Sequence, residues 1–273
     1  MSGLHVDEQR AADAVTGIHV VFVHGVMDRS TGFDRVRGLL GDVTTVAYDR
    51  RGYARSKGVP AVAATFADQC NDLRSVLDGR PTVVLVGHSY GAVVAMGVAA
   101  DDQVSGQIVG LVAFEPPMSW TDWWPSSAGG STLAVADLSG TAAATEAFMR
   151  RIVGEQRWER LPEVTKDDRR AEGDALVADL RSLRGGPAPF SAARCAVPAV
   201  LACGSDSLEH HRRATAWFAA ALPQGRFATI DGAGHGAHTS HPGAFADLVR
   251  CAMARSLPDP GPNEPESGRN TKR

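Results

Sequence analysis

The sequence predicts an α/β protein, a mostly parallel, doubly wound sheet with helices on both faces and one helical cap insertion. Three observations predict it. Short apolar runs of strand length alternate with amphipathic segments of helical period. The runs are almost continuously apolar, which suits strands covered on both faces. One interval, from Pro116 to Val197, is far longer than a single crossover helix needs.

The expected strands are His19 to Val23, Val43 to Tyr48, Val83 to Val86, Ile108 to Phe114, Val197 to Ala202 and Phe227 to Ile230. Between them, Phe66, Cys70, Leu73 and Leu77 share one helical face. Ala214, Trp217, Phe218, Ala221 and Leu222 share another, and Phe245, Leu248, Val249, Ala252 and Met253 a third. Strand followed by helix, repeated, calls for right-handed crossovers.

The insertion, 118–190, opens with Trp120, Trp123 and Trp124 beside Pro125 and carries helix-like runs at Thr145 to Val153 and Asp168 to Leu183. Thr165 is the expected N-cap of the second run, with a stop at Gly185 and Gly186. The insertion divides a core of 18–117 and 191–257. A short segment, 1–17, precedes the core, so an antiparallel edge hairpin is expected to be reduced or absent. The tail, 258–273, is rich in Pro, Gly and charge and is expected to be disordered, because it has little apolar surface to offset its ordering entropy.

A chain of 273 residues can bury one full α/β core with an insertion. Its 44% hydrophobic and 22% charged residues are ordinary for a globular protein, and a net charge of -3 provides no field for nucleic acid. The N-terminus lacks the apolar run of a secretory signal, and no stretch approaches the roughly 18 apolar residues of a membrane span. A cytoplasmic protein with a small-molecule substrate, and no membrane or nucleic-acid partner, is expected. Cys70, Cys195, Cys203 and Cys251 show neither C-x-x-C pairing nor metal-ligand spacing and are read as reduced core residues. No cofactor and no metal are called for; composition says nothing of oligomeric state.

The strongest chemical signal is Gly87-His88-Ser89-Tyr90-Gly91, a G-x-S-x-G elbow between an apolar strand and an Ala/Val-rich helix. Such a turn strains the serine backbone and projects its Oγ above the sheet at a helix N-terminus, where amides can stabilise an oxyanion. The bland alternative, a tight turn that happens to contain serine, does not account for all five positions in this context. Ser89 is therefore the expected nucleophile.

Serine needs a base within hydrogen-bond reach. Gly232-Ala233-Gly234-His235-Gly236 follows the last strand, and His235 is the expected base, with His238 as competitor. His241, before Pro242, reads as a helix-entry residue. The loop His24-Gly25-Val26-Met27 after the first strong strand is expected to supply the Val26 amide to an oxyanion hole completed by the Tyr90 amide. Taken alone, that His-Gly would be an ordinary strand-ending turn.

These stations together resemble the α/β-hydrolase superfamily over about Ile18 to Leu257. The resemblance rests on His24-Gly25, the Asp49-Arg50-Arg51-Gly52 turn, the Gly87-to-Gly91 elbow and the Gly232-to-His235 loop. It implies a Ser, acid, His chain order and no cofactor; Asp49 and Arg50 read as structural. Phe114-Glu115-Pro116-Pro117, at the end of what is the sixth strand of the full fold, resembles a bacterial branch with an acid and two prolines there. Asp206, in Gly204-Ser205-Asp206-Ser207, occupies the commoner station for the acid. It follows the strand-ending glycine by two positions where the usual acid follows by three, and it would also serve as a helix N-cap. Glu115 is therefore the preferred acid and Asp206 the alternative.

The expected chemistry is acyl transfer on an ester, thioester, lactone or amide, a carboxylesterase-like activity of class EC 3.1. Alternatives that keep the same site are carbon–carbon hydrolysis, perhydrolysis, a cyclisation in secondary metabolism, or a ligand sensor that turns over slowly. A dinucleotide-binding protein is set aside because no G-x-G-x-x-G follows the first strand. Trp120, Trp123 and Trp124 either line an apolar substrate pocket or pin the insertion to the core.

Overall fold

In a computed structural model, which describes residues 3–11, 17–104 and 106–256, the strands form one seven-stranded sheet in the order β1-β3-β2-β4-β5-β6-β7. They are β1 (Val6–Gln9), β2 (His19–Val23), β3 (Thr44–Tyr48), β4 (Val83–His88), β5 (Ile108–Phe114), β6 (Ala199–Gly204) and β7 (Gly225–Ile230). All neighbours run parallel except β1, which pairs antiparallel with β3, Val6 opposite Tyr48. Among the described residues, a single antiparallel edge strand thus comes from the segment before residue 18. The expected tail, 258–273, lies outside the described residues.

The sheet is sandwiched because its strands are apolar on both sides. Val21, Val23, Val83 and Leu85 pack with Leu73 of α2 (Phe66–Leu77 after α1, Asp34–Gly38), Val93 of α3 (Tyr90–Ala99) and Phe218. Alternate residues Val20, Phe22, Val84 and Val86 face the other way, onto Val36 of α1 and onto Phe245 and Val249. Among the described residues, no helix is long and apolar enough to cross a membrane.

Between β5 and β6 lie α4 (Gly130–Ser139), α5 (Thr141–Val153), α6 (Glu155–Glu159), α7 (Glu163–Arg170) and α8 (Gly173–Ser182). After β6 come α9 (Glu209–Ala221), then α10 (Ala237–Ser240) and α11 (Pro242–Ser256) beyond β7. The expected run from Asp168 to Leu183 is two helices, and Thr165 lies inside α7 rather than capping it: the helix starts after Pro162, whose φ of -55 is already suited to helix entry. The insertion meets the core in a separate apolar cluster in which Phe148, Met149, Trp158 and Leu176 pack on Met27 and Tyr53.

Two burial expectations need correction. Cys70, Cys195 and Cys203 are buried, but Cys251 is exposed, on the side of α11 away from Val249 and Met253. Trp217 is 48% exposed although its helix neighbours Ala214 and Phe218 are buried. Its ring lies across Phe218, with centroids 5.2 Å apart, at the rim of the packed face.

The strand order places a site before any side chain is considered. The chain leaves β2 toward β3 on one side and returns to β4 on the other, so a crevice opens at the carboxyl ends of β2 and β4. The His24 loop and Ser89 sit there.

Candidate active site

The elbow follows from a close crossing. Ser89 takes φ 54 and ψ -124, a conformation that strains any residue with a Cβ. It is held by backbone bonds: its N–H donates to the Phe114 carbonyl at 2.8 Å, and its carbonyl accepts from Ala92 N–H at 2.9 Å. Where α3 begins, a Cβ on Gly91 would stand 2.2 Å from the Val23 carbonyl oxygen, so only glycine lets the helix pass the end of β2. Gly91→Ala should cost at least about 1–3 kcal/mol by overpacking. A thermal melt should fall by about 2–4 °C for each kcal/mol; an unchanged melt would contradict this crossing.

Ser89 is buried, and the loop after β2 lies against it: a Cβ on Gly25 would be 3.0 Å from the Ser89 Cβ. Val26, half-buried, is the next residue along that loop, and Tyr90 is the first residue of α3, where amides lack an intrahelical acceptor.

His235 comes from the loop after β7 and meets Glu115 at the end of β5. His235 Nδ1 donates to Glu115 Oε2 at 2.6 Å. Glu115 Oε1 accepts from Gly204 N–H at 2.9 Å and from the Ser207 hydroxyl. Glu115 itself is fully buried at φ 50, not the extended conformation that a residue before proline favours. The bond from its N–H to Ala202 O at 2.9 Å and those at its carboxylate over-determine the strained backbone. Burial pushes its pKa up, but the hydrogen bond and charge of His235, with Ser207 and the Gly204 amide, outweigh that and hold the carboxyl below its usual range.

Asp206 is exposed, and its Oδ1 accepts from its neighbour Ser205 at 3.0 Å. It does not cap α9, whose N-cap is Leu208 without a side-chain bond. Ser207, where the usual acid would stand, supports Glu115 instead.

His88 and His211 contact His235 directly, and the His238 ring lies against His88. His88 Nε2 donates to the His235 backbone carbonyl at 2.8 Å, tying the base loop to the residue beside Ser89. Burial, with the charges of His238 and His235, keeps His88 well below the ordinary histidine range and therefore neutral. His238 is buried and bonded through Nε2 to Asp28 at 3.0 Å, away from Glu115. His241 precedes α11 and accepts the Phe245 N–H at its carbonyl, 3.0 Å, as a helix-entry residue does. His211 stacks on His235 with ring centroids 4.5 Å apart; burial first, then His235 and His210, depress its pKa.

Trp124 is buried edge-on against His210 and His211, at 4.7 and 5.4 Å between centroids. Trp120 meets Phe218 at 6.2 Å, and Trp123 lies under Arg213 at 4.2 Å. All three pack on α9, so they pin the start of the insertion to the core, and Trp124 is one ring removed from His235.

Among the described residues, two groups of side chains bring possible metal-ligating atoms within 4.8 Å of one another: Asp28, His88 and His238, and Glu115, His211 and His235. In the second, the Glu115 carboxylate is already bonded to His235 Nδ1, the Gly204 N–H and the Ser207 hydroxyl. Asp49 is structural: its carboxylate accepts Ser30 N–H at 2.8 Å and Arg55 Nε at 3.0 Å. Cavities elsewhere include one of about 460 Å³ among paired charges such as Lys57 and Asp168 and another of about 530 Å³ beside Phe66 and Val177. Neither is lined by Ser89, His235 or Glu115.

Sequence reasoning missed Asp28, Ser207 and His211 as supports. Their partners lie far away in the chain, Ser207 being 92 residues from Glu115, so no local pattern announces them.

A search of curated proteins finds no match. Among solved structures, MenH from S. aureus superimposes with a TM-score of 0.71 at 17% identity, covering 92% of this chain and 98% of that one. A thermophilic esterase from Thermogutta terrifontis gives 0.70 at 20% identity, covering 93% of both chains. An enol-lactonase from Burkholderia xenovorans gives 0.68 at 18% identity, covering 92% and 96%. At such identities the likeness is one of fold. The sequence profile of the Alpha/beta hydrolase family matches residues 20–248, from the first strand of the parallel sheet into the last helix, and on that match the chain belongs to the alpha/beta hydrolase family.

Proposed function

We propose that the protein is a cofactor-independent serine hydrolase of the cytoplasm acting on a small ester, thioester, lactone or amide, carboxylesterase-like in class. Ser89 is the nucleophile, His235 the base and Glu115 the acid. The observation that carries the reading is the His235–Glu115 bond of 2.6 Å, on a loop tied at 2.8 Å to His88, the residue before the strained Ser89. That bond sets the imidazole tautomer: with Nδ1–H donated to Glu115, Nε2 is left to accept the serine proton.

His235 takes the Ser89 proton as Oγ attacks the carbonyl carbon, and the Val26 and Tyr90 amides hold the resulting oxyanion. The imidazolium then protonates the leaving group, and water, activated by the same histidine, hydrolyses the acyl-enzyme. Trp124 bounds the acyl side, while Trp120 and Trp123 seat the cap.

Incubation with a fluorophosphonate should label Ser89 and abolish hydrolysis of p-nitrophenyl esters, and a series of rising acyl length should show a preference set by the pocket. Label at another residue would refute the nucleophile. Stoichiometric labelling without turnover of any ester would favour a sensor.

A further inference from the structure

The loop that carries Val26 is held by a side chain whose partner belongs to the insertion. Arg50, fully buried after β3, donates Nε to the His24 carbonyl at 2.9 Å and Nη2 to the Gly25 carbonyl at 3.2 Å. It also pairs with Asp179 of α8 through two bonds, Nη1 to Oδ1 at 3.2 Å and Nη2 to Oδ2 at 2.7 Å. The two side chains are 0% and 1% exposed. Ions so far from water are tolerated only when their remaining donors and acceptors are met. Here Gln69 Nε2 at 3.0 Å and the Tyr53 hydroxyl at 2.8 Å complete the Asp179 carboxylate.

The consequence lies in one peptide plane. The unit joining Gly25 to Val26 is trans, so the Gly25 carbonyl and the Val26 N–H point in opposite directions. Whatever fixes the carbonyl aims the amide. The Gly25 oxygen has two donors: Arg50 Nη2, and His24 Nδ1 at 2.7 Å. His24 is neutral, because burial and then the Arg50 charge push its pKa down to about 3. Its Nε2 accepts the Arg50 backbone N–H at 2.9 Å, which puts the ring proton on Nδ1, where the Gly25 carbonyl needs it.

The same helix reaches the other half of the hole. Ser182 of α8 donates to the Asp179 carbonyl at 2.8 Å, so the Tyr90 hydroxyl, 2.7 Å away, donates to Ser182. The Arg50 guanidinium lies 4.8 Å from the centre of the Tyr90 ring.

Resting on the hydrolase reading above, we infer that Arg50 and Asp179 are positioning residues of the oxyanion hole, through which the docked insertion aims the Val26 amide at the reacting carbonyl oxygen. The insertion is then part of the catalytic geometry, not merely a cover. A hole held this way should tighten on the transition state more than on the substrate.

The test is Asp179→Asn, which keeps the shape and removes the charge, compared with Arg150→Ala, which removes ion pairs to Glu146, Glu155 and Glu159 within the insertion and leaves Arg50, Asp179 and their partners in place. For each, kcat and KM on a p-nitrophenyl ester are measured beside a thermal melt, fluorophosphonate labelling and the Kd of a boronic acid that forms a tetrahedral adduct on serine. Asp179→Asn should lower kcat by about 10- to 100-fold, somewhat less than deleting a donor outright. KM should stay nearly constant, and boronate affinity should fall in proportion to kcat/KM. Arg150→Ala should lower the melt and leave kcat unchanged. A folded Asp179→Asn with unchanged kcat and boronate affinity, or with only KM raised, overturns the inference. If Asp179→Asn does not fold, Arg50→Lys gives the same readout, since an ammonium keeps the charge but cannot span Asp179 and both carbonyls. Wild-type protein that takes no label at Ser89 overturns the hydrolase reading and the inference with it. Labelled wild type beside an unimpaired Asp179→Asn overturns the inference alone.

Discussion

Ser89→Ala should lower kcat on a p-nitrophenyl ester by about three or more orders of magnitude while the protein stays folded. The size follows from what would remain. Without Oγ no acyl-enzyme forms, and only the oxyanion donors and the binding surface can act on direct attack by water. The fold should persist because the elbow is held through the backbone: the bonds from Ser89 N–H to Phe114 and from Ala92 N–H to Ser89 are kept by alanine. Alanine carries the same Cβ at φ 54, so the strain is neither relieved nor increased. The measurement is kcat beside a thermal melt, with fluorophosphonate labelling as a third readout. A folded variant that hydrolyses at the wild-type rate would falsify the assignment of the nucleophile.

How much of this was legible in the sequence depends on the range of the interaction. Each expected strand reappears within two residues at its start and end, because a strand covered on both faces must be apolar at every position, as Val20 to Val23 and Val83 to Val86 are. β1 was not legible: Val6 to Gln9 alternates weakly and gains its identity only by pairing with β3. In the insertion, the period of α5 was visible, but α6 is a five-residue helix that buries Trp158 alone, and α4 buries only Thr132, so neither shows an apolar face of its own. The elbow and the histidine loop could be read because tight turns require glycine at fixed offsets. The ion pair of Arg50 with Asp179 could not, since 129 residues separate its members and neither stands in a recognisable motif for the other. The choice of acid lay between these extremes. The one-residue displacement of Asp206 was visible, but the role of Ser207 as a donor to Glu115 required the fold.

Glu115→Gln should lower kcat by about three to four orders of magnitude with little change in KM, and Asp206→Asn should change it by no more than about threefold, as substitutions at exposed positions generally do. Glutamine keeps the length of the side chain and one oxygen for the Gly204 amide and the Ser207 hydroxyl, so the second group facing His235 becomes an NH2. An amide donor opposite Nδ1 selects the wrong tautomer, with the proton on Nε2, where it cannot accept the proton of Ser89; the negative charge that steadies the imidazolium is lost as well. Asp206 has no such position: it is exposed, its N–H bonds to Ala233 O at 2.9 Å whatever the side chain, and its carboxylate serves Ser205. Acid unfolding separates a structural role from a chemical one. The Glu115 pKa is held below its ordinary 4.5, so its contribution to stability is complete above that value and is lost as pH falls through the lower, folded one. Glutamine does not titrate, so the melting temperature of Glu115→Gln should depend less steeply on pH below about 4.5 than that of the wild type. A kcat that collapses in Asp206→Asn and survives in Glu115→Gln, with both variants folded, would move the acid to the station after β6 and leave Glu115 as a buried structural carboxylate.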